Sequence, residues 1–132
     1  MKILGIDWGE RRLGFAVSAD GAWAFPLRVV TIRGFSHAVE VIREIVAAEG
    51  SERVVLGLPI GMDGKDTPQT SRVREVAADL GNALNVPIDL IDERLTSQTA
   101  QREQHESSAR SAADDARAAA AILQTYLEQH PV

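Results

Sequence analysis

The chain contains no cysteine. Disulfides, thiolate metal sites and cysteine nucleophiles are excluded, and the absence suits a reducing compartment. Long apolar runs are missing too. The opening MKILGIDWGE has one basic residue and a short apolar stretch, too short for a signal-peptide core or a membrane span. The expectation is a cytoplasmic protein with no membrane partner. Repeats, low-complexity tracts and interdomain linkers are also absent. So is a basic excess: 14 Lys and Arg stand against 19 Asp and Glu, for a net charge of −5. Phosphate backbones reward basic surfaces, so this balance alone speaks against nucleic acid. It does not exclude a nuclease, because metal-dependent sites concentrate acids and the metal reverses the local sign.

What is present suffices for one domain over residues 1–132, with 45% hydrophobic residues to form a core. Residues 2–7 and 12–19 read as strands, with Asp20-Gly21 as a hairpin turn. Residues 23–32 form a third strand, and Pro26 puts its early part at an edge or bulge. From residue 36 the period changes. Ala38, Val41, Ile42, Ile45 and Ala48 make a helical stripe, with Ser36 as N-cap and Gly50 as the stop. Residues 53–58 (RVVLGL) read as a strand buried on both faces.

A Gly-rich loop, 59–66, leads to Thr67-Pro68, a cap followed by proline at the first helical position. The helix beyond it carries Val73, Val76, Ala77, Leu80 and Leu84. A fifth strand spans 86–91 and ends at Asp92-Glu93. A short helix is expected after Thr96 and a last one from about Ser111 to Glu128. The order β-β-β-α-β-α-β-α predicts an α/β fold. Its mixed five-stranded sheet has three antiparallel strands, then parallel ones, with helices on both faces.

In such sheets sites form at the carboxyl ends of strands. Asp7 ends the first strand and Asp92-Glu93 the fifth. With both strands central and parallel, these acids converge. Mg²⁺ and Mn²⁺ want hard oxygen ligands of this kind. Gly5 and Gly9 flank Asp7 and would let metal and phosphate approach. The last helix adds Asp114 and Asp115. Its apolar stripe is Ala112, Ala116, Ala119, Ala120, Leu123 and Leu127. At roughly 100° per residue, Asp115 lies at the stripe's edge beside Ala119 and Ile122. Asp114 falls near the opposite face beside Arg117 and Ala118, in a Ser111-x-x-Asp114 capping-box outline. Trp8 and Trp23 read as packing residues. His37, His105 and His130 lie in polar contexts, and no Ser-His nucleophile pair stands out.

GIDWGERRLGFAVS (5–18), VVLGLPIGMDG (54–64) with Gln69, DERLTS (92–97) and DDARAAAAILQTYL (114–127) occur in this order. Together they resemble the YqgF/RuvX family of bacterial proteins, named as candidate pre-16S rRNA nucleases and earlier as candidate Holliday-junction resolvases. GID-x-G alone also opens sugar kinases and actin-like ATPases, but those need a second lobe that 132 residues do not provide.

The resemblance implies an RNase H-like fold and a two-metal site, with Mg²⁺ or Mn²⁺ on Asp7, Glu93 and Asp115. Asp7 would bridge the ions and cleavage would leave a 5′-phosphate. It makes Arg11, Arg12, Met62, Asp63, Gly64, Gln69 and Arg94 candidates for substrate contact. The implied partner is nucleic acid: pre-16S rRNA within pre-ribosomal particles, or branched DNA as the alternative. A monomer or weak homodimer is expected. A non-catalytic ribosome-assembly binding module is the rival from outside the enzymes. Family members often carry a basic stretch before the last helix; residues 101–113 here, QREQHESSARSAA, are of mixed sign.

Overall fold

Strand β1 (Ile3–Trp8) is buried along its whole length, and its alternation sets up two faces. Leu4, Ile6 and Trp8 point one way, and Ile3, Gly5 and Asp7 the other. The computed structural model describes residues 1–95 and 112–130. Around β1 stand β2 (Arg12–Ser18), β3 (Phe25–Thr31), β4 (Arg53–Leu58) and β5 (Ile88–Asp92), in the spatial order β3-β2-β1-β4-β5. The first three are antiparallel neighbours, while β1-β4 and β4-β5 are parallel.

The face of Leu4 and Ile6 is covered by α1 (Phe35–Glu49) and α2 (Pro68–Ala83). Ile42 and Ile45 of α1 and Val73, Val76 and Leu80 of α2 pack there against Phe15, Val54 and Leu56. Burying each such side chain contributes about 1.5–3 kcal/mol. The opposite face is covered by α3 (Ala112–Gln129), whose Ala119, Ile122, Leu123 and Leu127 meet Ile3, Ala16, Val55 and Ile91. The mixed five-stranded sheet, its strand directions and the two-sided cover agree with the sequence reading. Among the described residues, no helix is long and apolar enough to cross a membrane.

Local signals mostly hold. Gly50 closes α1 at φ 65°, a left-handed conformation that suits glycine, and its N–H returns to Ala47. Thr67 caps α2 in a reciprocal box with Thr70 ahead of Pro68. The register shifts between Phe15 and Ala16, opposite the Pro26 segment of edge strand β3.

Some expectations need correction. The N-cap of α1 is Gly34, not Ser36, and no side chain caps it. Phe35 joins the helix because its ring packs against Trp8, at 6.3 Å between centroids. Strand β5 begins at Ile88, beyond Pro87, which has no N–H for a ladder. It is an edge strand, not a central one. Trp23 does not pack: it is 64% exposed, because Asp20 accepts the N–H groups of Ala22 and Trp23 and the turn leaves the indole outside. Ala118 is buried, since α3 lies across several strands of the sheet and its covered arc is wider than one stripe. The helix expected after Thr96, the Ser111 half of the capping box, and residues 101–111 lie outside the described residues.

Candidate active site

Among the described residues, Asp7, Glu93 and Asp115 are the only buried charged side chains. All three lie between 6 and 8% exposed, so the surrounding fold must sustain three desolvated carboxylates.

They share one face of the sheet. On β1, Asp7 shares the α3 side with Ile3 and Gly5. Ile91 faces α3 as well, and Glu93, which opens the 3-10 turn after β5, brings its carboxylate over Gly57 beside Ile122 of α3, on that same side. Asp92 turns to the other side, where Arg94 grips it with Nη2 at 2.8 Å and Nε at 3.0 Å from Oδ2. That pair holds the Asp92 carboxyl below its ordinary range, with the hydrogen bond from Arg94 as the main cause. Asp92 holds Arg94 charged in return, and Asp63 adds to the effect.

Close approach completes the arrangement. In the β1–β2 ladder Asp7 lies opposite Gly14. A β-carbon on Gly14 would fall 2.1 Å from the backbone oxygen of Asp115. The start of α3 therefore rests directly on β2, and Asp115 arrives beside Asp7. Gly5 makes similar room farther along α3, where a β-carbon would meet Leu123 Cβ at 2.8 Å. Glu93 comes from the far side. It sits at the end of β5, with β4 between it and β1. A β-carbon on Gly57 would meet Glu93 Oε1 at 2.7 Å, so the carboxylate lies over β4 where that strand has no side chain. The β1–β4 register, ending at Ile6 beside Leu56, makes Asp7 the next neighbour of Gly57.

These glycines revise the reading of Gly5 and Gly9. Gly5 makes room for the helix rather than for metal or phosphate. Gly9 makes room for the turn, since a β-carbon there would lie 2.6 Å from the Arg12 oxygen. Gly14 and Gly57 were missed. Glycine inside a strand is itself a signal of close approach, and it stood in LGFAV and VVLGL.

The helix separates its two acids. Asp115 is buried and Asp114 exposed, the latter with Arg117 Nη1 3.4 Å from its Oδ1. Asp115 Oδ2 lies 2.9 Å from Arg12 Nε, an ion pair rather than an aligned hydrogen bond. Trp8 faces the other way, and its indole nitrogen meets no acceptor among the described residues.

The predicted substrate contacts come from several segments of the chain. Arg11 accepts the Ile32 N–H through its carbonyl, which sets it in the turn beside Asp7. Met62, Asp63 and Gly64 form an exposed loop, closed by Gly64 N–H to Gly61 and Lys65 N–H to Asp63. The loop borders Arg94, whose Nη1 would stand 3.5 Å from a β-carbon on Gly64. Gln69 is exposed in the first turn of α2.

The donor set fits a hard divalent cation by chemistry: two buried carboxylates, Asp7 and Glu93, at the carboxyl ends of strands parallel to β4, and a third, Asp115, from the start of α3 above that face. As the side chains lie, no three acids or histidines among the described residues stand close enough to grip one ion.

Residues 1–129 match the family described as "RuvX: Holliday junction resolvase". A relative from Maridesulfovibrio salexigens, named "Putative pre-16S rRNA nuclease", is 39% identical over 96% of this chain and 98% of its own. A relative of the same name from Acaryochloris marina is 37% identical over 97% of this chain and 92% of its own. Among solved structures, Thermus thermophilus RuvC in complex with a Holliday junction substrate superposes with a TM-score of 0.64. That alignment covers 100% of this chain and 98% of the other, at 16% identity. The Fowlpox virus resolvase with junction DNA superposes at 0.59, covering 100% of both chains at 10% identity.

Proposed function

The chain belongs to the RuvX family and has an RNase H-like fold, and from that premise we propose that it is a nuclease of one domain, residues 1–132, that hydrolyses phosphodiesters. The substrate proposed is the 5′ end of pre-16S rRNA, as the names of the relatives suggest. The observation that carries the reading is the set of buried carboxylates. A fold gains nothing from desolvating three acids together on one sheet face unless a cation or a reaction uses them.

Asp7, Glu93 and Asp115 would hold Mg²⁺ or Mn²⁺, and the metal would supply Lewis-acid polarisation of the phosphodiester and an activated water. The chain's own residues set the stage. Burial of the acids under α3 lowers the local dielectric and strengthens their pull on a cation. Arg11 and Arg12 stand at the turn beside Asp7, where a phosphate would enter. Arg94, anchored on Asp92, and the Met62–Gly64 loop would line the rim. These contacts grip backbone rather than read bases, so the local positive charges offset the overall −5.

The test is cleavage of an rRNA precursor fragment in Mg²⁺ or Mn²⁺ by the wild type and by Asp7→Asn. Partners that merely orient metal ligands cost about 10–100-fold when lost, so a ligand should cost at least that. Loss of cleavage with an unchanged melting curve supports the assignment. Equal rates would sink it. Paired cuts in a four-way junction with none in the RNA would favour branched DNA, a task that calls for a symmetric dimer. RNA binding without any cleavage would favour the assembly-factor reading.

A further inference from the structure

Arg12 and Asp115 are brought together by construction. Arg12 opens β2 two residues before Gly14, so both lie on the α3 side of the sheet. Gly14 lets the Asp115 backbone rest on β2, which limits how far its carboxylate can retreat. The result is the 2.9 Å pair between Arg12 Nε and Asp115 Oδ2, with the Asp115 side chain 10% exposed and that of Arg12 37% exposed. One partner is fixed and buried, while the other has a route to solvent.

Arg12 is also a neighbour of Asp7 in the sheet. Asp7 faces Gly14 across the ladder, which makes Arg12 its diagonal neighbour on the same face. Diagonal pairs stand about 7–8 Å apart at the backbone, within reach of a long side chain's charge. A positive group thus stands where a cation held by Asp7 and Asp115 would be favoured. In this arrangement no three acids converge on one ion among the described residues.

We propose that Arg12 is the resident counter-ion of this site, and that a divalent metal takes Asp115 by displacing the Arg12 guanidinium toward the solvent-facing mouth. Arg12 is then a positioning residue. It holds the Asp115 carboxylate in place in the metal-free protein, and it sets the threshold for metal uptake. The inference rests on reading the buried acids as a metal site.

The experiment is a calorimetric Mn²⁺ titration of the wild type and Arg12→Gln at low ionic strength, with melting curves in EDTA. Removing a unit charge from this distance should tighten Mn²⁺ binding about tenfold. Without metal, the variant should melt lower than the wild type, because the Arg12 charge beside the buried Asp115 is gone. A brace with no competing role predicts the opposite for metal: a folded Arg12→Gln that binds Mn²⁺ equally or more weakly overturns the proposal. If neither protein takes up Mn²⁺, the metal reading of the acids fails and displacement falls with it. If the wild type binds and the variant binds no better, only displacement fails.

Should Arg12→Gln not fold, the wild type answers directly. The Arg12 Nε–H resonance, assigned by its loss in Arg12→Lys, should shift during a Mg²⁺ titration with the midpoint of metal binding. A resonance unmoved at saturating Mg²⁺ overturns the proposal.

Discussion

Glu93 lies over Gly57, with its Oε1 2.7 Å from where a β-carbon on that glycine would stand. An edge-strand acid thereby crosses β4 to the neighbourhood of Asp7 on the central strand. Gly57→Ala separates stability from chemistry. The three atoms nearest the new methyl would be side-chain atoms, Ile122 Cδ1 and Glu93 Oε1 and Cγ. The expected stability loss is about 1–3 kcal/mol. Cleavage and metal affinity should each fall about tenfold or more, because displacing a carboxylate by an ångström misplaces the site. Melting curves alongside RNA cleavage check this; full activity in the variant would show that Glu93 is not used where it lies.

Gly14→Ala should behave in the opposite way. Its methyl would stand 2.1 Å from the Asp115 carbonyl oxygen and 3.2 Å from the Ala116 nitrogen, both backbone. The helix start itself must lift. A loss of about 3 kcal/mol or more is expected, lowering Tm by roughly 10 °C. A Tm within a degree or two of wild type would contradict the close packing of α3 on β2.

At the other end of the sheet, Tyr126 donates its hydroxyl to Asp89 Oδ2 at 2.5 Å, and Arg53 Nη1 lies 2.7 Å from the same oxygen. Burial first, then the bond to Asp89, pushes the Tyr126 hydroxyl above its ordinary value of 10.0. The folded state thus keeps a proton that the unfolded chain releases near that value. The resulting stability is present below pH 10 and is lost as pH rises through the folded value. Denaturant titrations from pH 8 to 11 should show a fall that Tyr126→Phe flattens. Parallel curves for the two proteins would refute this.

Arg94 gives a contrasting case. Its pair with Asp92 is exposed, so Arg94→Ala should cost about 1 kcal/mol or less in stability. RNA binding should weaken across unrelated sequences, and the slope of log affinity against log salt should shrink by about one. A change confined to one sequence would mean that Arg94 reads a base instead.

Much of this was legible one residue at a time. Strand and helix signals are local: alternation in β1, the unbroken apolar run of β4, Thr67-Pro68 ahead of α2 and Gly50 after α1. Helical periodicity alone separated Asp115 from Asp114, because the face of a helix follows from residue spacing. Glu93 was harder to separate from Asp92, because it opens a 3-10 turn just past β5, where strand alternation no longer sets the side. Trp23 was misread, because turn geometry and not hydrophobicity decides whether an indole at a hairpin is covered.

By itself, the sequence determined which residues pair with which periodicity, and so the elements, their order and the acids at their ends. Those depend on neighbours a few positions apart. Only the tertiary structure decided that β5 lies at an edge, that Gly57 clears the way for Glu93, and that Gly14 seats Asp115 beside Arg12. Each of these is a contact between segments distant in the chain, set by how closely a helix can rest on a sheet, and no local pattern records that distance.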